Sequence, residues 1–322
     1  MKTIFEKFAC LTKSIGSTSA IGLLVFCLFA CLGVSEAAEE TRNILILNSS
    51  MATEKYALAQ AEFKARFKGA NFVDIDLAKE EFDEAYVKKI IREKKPDVIY
   101  CIGSKAYVLA HEIAKENTMI FSMAINWQRL PMGENTYGIS NELSTGMQLM
   151  TFSYFFPKLK KIGVLYSKTY NMEWLKNTEK DAQDMGFEII AKPVKSPNKL
   201  ESALEELLPK VDALWLISDP VVLSDQESTL SIFQKSDAMK KPVFAYNEAF
   251  SNYGALLVIE ADIPTIGEQI SSMALDILAN KKIDERVQAP AGSHLILNMK
   301  KVKEYGIELN GEAIGSANRI IK

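Results

Sequence analysis

Apolar residues in this chain fall into two kinds of pattern. Short unbroken runs occupy 44–47, 98–102, 119–124, 162–166, 213–217, 242–246 and 255–259. Between them, apolar positions recur every three or four residues, as at Tyr56, Ala59, Phe63 and Phe67, or Leu175, Thr178, Ala182 and Met185. A run without alternation predicts a strand covered on both faces, and the longer period predicts an amphipathic helix. Further strands are expected at 71–77, 135–140, 187–191 and 294–300. Helical stripes are expected through Phe82, Tyr86 and Ile90, through Ala106, Leu109 and Ile113, through Leu200, Ala203, Leu204 and Leu207, and through Ile266, Ile270, Met273, Ala274, Ile277 and Leu278. Residues 141–157 form a helical passage that Pro157 stops.

The same order of patterns occurs twice. RNILILNS at 42–49 resembles KIGVLYS at 161–167, and KPDVIYCIGS at 95–104 resembles VDALWLIS at 211–218. MIFSMAIN at 119–126 resembles PVFAYN at 242–247, and YGIS at 137–140 resembles YGAL at 253–256. One such echo could arise by chance among apolar strands; four in the same order predict two similar α/β halves. The expected fold class is therefore α/β, with two Rossmann-like lobes built on parallel sheets and a cleft between them. No low-complexity linker separates the halves, so several short crossings are expected rather than one tether. In such sheets ligands sit beyond the carboxyl ends of the strands.

Composition narrows the classes without choosing one. The chain has 322 residues, a net charge of −3 and 48% hydrophobic residues, enough for one two-lobed globule and without the basic surplus of a nucleic-acid binder. Residues 1–37 read as a secretory signal: Lys2, Lys7 and Lys13 precede a charge-free apolar run at 20–34, and Ser35-Glu36-Ala37 places small residues at a cleavage site. A competing site is Leu28-Phe29-Ala30-Cys31, a lipoprotein-like box in which Cys31 would carry the lipid. Of four cysteines only Cys101 lies in the body that would remain, so no internal disulfide is available. Cys101 sits in a strand pattern and is expected to be buried and inert.

Catalytic signatures are scarce. There is no phosphate-binding glycine loop, no nucleophile elbow, and only two histidines, His111 and His294, neither in metal-ligand spacing. No catalytic residue, metal site or cofactor is expected. Polar residues at the expected strand ends serve binding better: Ser49, Ser50, Ser104, Asn126, Ser167, Asp219 and Asn247. Trp127, Tyr166, Tyr170 and Tyr246 could wall an apolar or ring portion of a ligand, and Asp219 or Glu248 could accept an ammonium group. Each serine, asparagine or aspartate also has a plainer reading as a helix cap, and Trp127 and Tyr246 as packing. Trp174 and Trp215 read as core.

Several segments together carry a resemblance. They are FSMA at 121–124 followed by GENTYGIS at 133–140, the stretch from Gln148 to Pro157 with 161–166, Ser218-Asp219, PVF at 242–244 with Gly254-Ala255-Leu256, IGEQ at 266–269, and Leu297-Asn298 through Gly306-Ile307. In order and spacing the chain resembles the periplasmic substrate-binding proteins of ABC transporters with the type I two-lobed fold. The resemblance covers nearly all of the chain after residue 37. It implies three crossings between lobes, with 43–142 plus 263–284 in the first and 143–262 plus 285–322 in the second. It implies a small polar ligand, an amino acid in some branches, held by Ser49, Ser50, Ser104, Asn126, Asp219 and Asn247, and delivery to an ABC permease by a monomer in the periplasm. The family often has Asp-Pro where this chain has Asn126-Trp127, and a small polar residue where it has Pro220. Two rival roles remain at this level: a sensory module of the same fold, and a periplasmic enzyme on a similar scaffold.

Overall fold

The computed structural model describes residues 41–322 apart from 68, 80 and 82. The expected signal, the Cys31 box and Phe82 lie outside the described residues. Residues 42–322 form one compact unit.

Six strands build the first sheet: β1 (Asn43–Asn48), β2 (Asn71–Asp76), β3 (Val98–Ile102), β4 (Met119–Ser122), β5 (Thr136–Ile139) and β11 (Val287–Gln288), in the order β11-β5-β4-β3-β1-β2 and all parallel. The second sheet runs β13-β12-β10-β9-β8-β6-β7. Its strands are β6 (Lys161–Tyr166), β7 (Glu188–Pro193), β8 (Ala213–Trp215), β9 (Val243–Ala245), β10 (Leu257–Ala261), β12 (Ser293–Asn298) and β13 (Arg319–Ile321). Only the β10–β12 pair is antiparallel. The first five strands of each half therefore take the same order, second-first-third-fourth-fifth, in keeping with the two similar halves expected from the sequence echoes. β1, β3 and β4 are buried along almost their whole length, which is why they read as unbroken apolar runs.

The halves also share a device at the amino ends of their strands. Asp97, just before β3, accepts from Asn43 N at 2.8 Å at the start of β1. Asp212, just before β8, accepts from Lys160 N and Lys161 N at 2.8 Å at the start of β6. In each lobe one carboxylate fixes where the first strand begins against the third.

Helices cover both faces of each sheet. On the first lie α1 (Glu54–Ala65), α2 (Glu84–Lys94) and α3 (Ser104–Ile113). On the second lie α4 (Thr145–Phe155), α5 (Lys168–Asp184), α6 (Leu200–Leu207) and α7 (Gln226–Ala238). Asp83, Ser144 and Asp225 cap α2, α4 and α7 by accepting from the backbone three residues on. α8 (Ile263–Leu278) follows β10 of the second sheet but packs on α1 of the first. Their axes approach closely at Gly267, where a Cβ would lie 2.4 Å from Glu62 Cβ. Ser271 Oγ there donates to Phe63 O at 3.3 Å. α9 (Met299–Tyr305) follows β12.

The chain thus passes between sheets three times, at 140–144, at 262 and at 289–292. Residues 285–288, expected with the second lobe, instead extend the first sheet. Gly138 N donates to Arg286 O and Ser140 N to Gln288 O, both at 2.8 Å, so β11 satisfies a backbone edge that β5 would otherwise leave open. β11 has two residues and β13 three, too few to show a period in the sequence.

Three apolar clusters fill the layers. One lies beneath α2 and α3, and one beneath α6 and α7. The third includes Phe63 and Tyr100 of the first lobe, Ile139 and Leu143 at the first crossing, and Phe152, Trp215 and Phe244 of the second. Trp215 is core, as its position suggested: its ring meets Phe152 and Trp174 edge-on, and its Nε1 donates to Gln148 Oε1 at 3.2 Å. Cys101 is buried, and burial pushes its thiol far up.

Candidate functional site

In both sheets the strand order reverses beside the first strand, between β1 and β3 and between β6 and β8. Loops leaving such neighbours diverge and open a crevice at the carboxyl ends. How each junction is stapled decides which side chains stay available.

At the β1–β3 junction the staple is a hydroxyl. Ser49 Oγ donates to Ile102 O at 2.7 Å and accepts from Ala106 N at 3.0 Å, in the first turn of α3. Gly103 makes this approach feasible: its φ is +86°, and a Cβ there would lie 2.7 Å from Ser49 Oγ. Ser104 Oγ accepts from Ile125 N at 3.2 Å, tying the β3 loop to the β4 loop. Asn48 is buried, donating to Gln60 Oε1 at 2.9 Å and accepting from Ser50 N at 3.0 Å. Ser49 is therefore spent on structure, whereas the Ser50 hydroxyl has no partner among the described residues.

At the β6–β8 junction the staple is a carboxylate. Asp219 is 1% exposed. Its Oδ2 accepts from Ser167 N at 2.6 Å, Ser167 Oγ at 2.9 Å and Asn171 Nδ2 at 2.7 Å. Its Oδ1 accepts from Val221 N at 2.9 Å and Val222 N at 3.1 Å. Burial alone would push this carboxyl up, but the bonds from Ser167, Asn171, Val221 and Val222 hold it below its ordinary range. Both oxygens are occupied, so Asp219 organises two loops and is not open to a ligand ammonium as the sequence suggested. Asn171 leaves helical geometry (φ −130°) with its side chain on Asp219, which fixes the first turn of α5 and Tyr170 with it.

The remaining candidates divide in the same way. Tyr166 is buried, and burial pushes its phenol up. The Tyr246 ring meets Phe250 edge-on at 5.3 Å, and burial raises its phenol too. Asn247 accepts from Ala249 N at 2.9 Å as a cap. Glu248 pairs with Arg319. Trp127 packs with Leu130 and Met132 against the cluster under α2 and α3. Asn126 is left-handed (φ 51°), and its N donates to Glu142 Oε1 at 2.8 Å. Its carboxamide has no partner among the described residues.

Residues that the sequence-based candidates did not include complete the site. Arg129 stands 4.4 Å over the ring of Tyr170, joining the loop after β4 to the helix after β6. Lys55 at the start of α1 reaches Glu260 Oε2, near the end of β10, at 2.8 Å. Both contacts join a carboxyl end of the first sheet to one of the second, so the two rims face each other. Glu142 lies in the first crossing. Burial raises its carboxyl against the bond from Asn126 N, and its Oε2 is buried without a partner. Met51 and Ile125 (55% exposed) offer apolar surface on the first rim, and Tyr170 (44% exposed) on the second.

The arrangement suits reversible binding: hydroxyl, amide and guanidinium donors beside exposed apolar groups, on two bodies joined by thin crossings. Among the described residues no group of three His, Cys, Asp or Glu could hold a metal ion. A hollow of about 280 Å³ on the flank of α8 and another of about 240 Å³ at the amino ends of β1 and β2 include none of these rim residues.

Comparison with known proteins gives consistent results. The family model described as ABC transporter substrate binding protein matches residues 49–321. A tyrosine-binding protein of Clostridioides difficile (strain R20291) is 22% identical over 278 residues, covering 82% of this chain and 79% of that protein. A substrate binding protein with adhesive properties from Clostridium difficile, in its ligand-free, open structure, superposes with a TM-score of 0.69 at 20% identity, covering 88% of this chain and 99% of its own. An ABC domain from Streptococcus pneumonia in complex with L-Trp superposes with a TM-score of 0.57 at 20% identity, covering 87% and 100%. At these identities the structural likeness bears on the fold: the type I two-lobed architecture.

Proposed function

The chain belongs to the ABC transporter substrate binding protein family, and from that premise we propose that it closes on an amino acid with a large, ring-bearing side chain. The observation that carries the reading is the Arg129–Tyr170 contact, which brings an exposed aromatic ring and an exposed cation from opposite rims to one place. Ser50 and Asn126 supply unspent polar groups, Met51 and Ile125 apolar surface, and Tyr246 a second ring. Ser49, Asp219 and Asn247 hold these groups in position. Two relatives named for tyrosine and for L-Trp support the same ligand class.

A ligand touching both rims favours the closed arrangement by its extra contacts there. The two lobes are residues 43–142 with 263–288, and 143–262 with 293–322, and the closed monomer presents its ligand to an ABC permease. Residues 1–37 direct secretion, leaving the protein free in the periplasm or anchored through Cys31. Among the described residues no helix is long and apolar enough to cross a membrane.

Calorimetry against L-tyrosine, L-tryptophan, L-phenylalanine, L-alanine and a hexose tests the ligand class. Saturable binding of the aromatic set, with alanine and hexose silent, is the expected result. Preference for alanine or the sugar would overturn it. Stimulation of ATP hydrolysis by a reconstituted permease would test delivery, and mass measurement of the secreted chain would test processing.

A further inference from the structure

We propose that Arg129 reads a carboxylate on the ligand, so that the crevice selects compounds bearing that group and rejects their amides and amines. The inference rests on the reading above that the ligand lies between the two rims, and it adds the group recognised and the residue that recognises it.

Three other arginines are occupied. Arg66 pairs with Glu268, Arg319 with Glu248, and Arg286 donates to the carbonyls of Gly133 and Glu134. The Arg129 guanidinium has neither a carboxylate nor a carbonyl partner among the described residues. Its contact is the face of Tyr170, from the opposite lobe. A guanidinium stacked on a ring uses its π face and keeps its N–H edges in the plane, where a carboxylate can accept two parallel bonds. Lysine on the same ring would be a point charge without that fork.

The surroundings favour a singly charged carboxylate over a phosphate. Glu142 lies close enough to interact electrostatically with Arg129, yet its Oε1 is taken by Asn126 N and no ion pair forms. One cation beside one carboxylate gives a locally balanced field. A dianion would add repulsion from Glu142, whereas a zwitterion would not. The loop itself is held in a demanding conformation. Met123 (φ 59°) and Asn126 (φ 51°) are both left-handed without being glycine, and the Glu142 bond to Asn126 N pins the turn that presents Arg129. Glu142 is thus a positioning residue for Arg129.

The test compares L-tyrosine, tyrosine amide and tyramine as calorimetric ligands of the full chain and of Arg129→Gln and Arg129→Lys, with thermal melts confirming that each variant is folded. The wild type should prefer tyrosine over the amide by roughly 10–100-fold, the range of a charge-assisted pair. Arg129→Gln should weaken tyrosine far more than its amide or tyramine, so that the preference is erased, and Arg129→Lys should keep only part of it. Equal weakening of all three compounds in Arg129→Gln would leave Arg129 a stacking role and overturn the proposal, as would equal wild-type affinity for tyrosine and its amide; either result leaves the aromatic-ligand reading intact. If no aromatic amino acid binds the wild type, that reading falls. The same variants screened against short carboxylates and inorganic phosphate then decide for Arg129: carboxylate binding lost in Arg129→Gln keeps the assignment, and phosphate binding or none removes it.

Discussion

The two sheets share strand order and the aspartate that sets the amino end of the first strand, but their carboxyl rims are built differently. On the second rim one buried carboxylate gathers Ser167, Asn171, Val221 and Val222, and the polar side chains nearest it are consumed. On the first rim a single hydroxyl staples the β1–β3 junction, and Ser50, Asn126 and Arg129 are left with free donors. The difference assigns unequal tasks to equal folds. In the proposed reading the second lobe is a pre-set platform that carries Tyr170, and the first holds the groups that answer to a ligand's chemistry.

Removing the larger staple should have the largest effect. Asp219→Ala strands five donors, the backbone N–H groups of Ser167, Val221 and Val222, the Ser167 hydroxyl and the Asn171 amide. A loss of about 3–5 kcal/mol is expected in urea unfolding. Ser49→Ala removes the weaker staple and should cost about 1–2 kcal/mol. Equal losses from the two variants would break the comparison.

The acid limb separates the rims by sign. The Asp219 carboxyl is held low in the folded chain, so its contribution is complete above the unfolded carboxylate range and fades as pH falls through the folded value. Asp219→Asn should therefore flatten the loss of stability on acidification. The Glu142 carboxyl is raised by burial, so its contribution has the opposite slope: it declines as pH rises from the ordinary carboxylate range through the folded value. Glu142→Gln should remove that decline, and pH-dependent melts of the two variants would show slopes of opposite sense. The smallest effect belongs to Lys55→Ala. Lys55 is substantially exposed in its pair with Glu260, and a change within about 1 kcal/mol is expected.

Much of the fold was legible in the chain because burial on both faces writes itself as unbroken apolar runs. The duplicated order of β1 through β5 and β6 through β10 followed from those runs. β11 and β13 did not, because two or three residues carry no periodicity. The site was legible only in outline. Ser49, Ser104 and Asp219 were correctly placed at strand ends, yet residue type does not reveal whether a hydroxyl or carboxylate is already bonded. Asp219 looked like a ligand acceptor and is saturated. Arg129 was marked by no sequence pattern. Its importance lies in meeting Tyr170 across the crevice, a contact between distant parts of the chain that leaves no local signature.

The position of α8 has a consequence for how such a chain can be taken apart. Ile266, Ile270 and Ala274 of this helix are buried on the first lobe although they are encoded after most of the second. A fragment ending near residue 142 would carry every strand of its sheet except β11 and still lack one wall, leaving the apolar side of α1 bare to water. The halves are therefore not interchangeable cassettes, and a graft meant to swap one lobe must carry the return segment along with it.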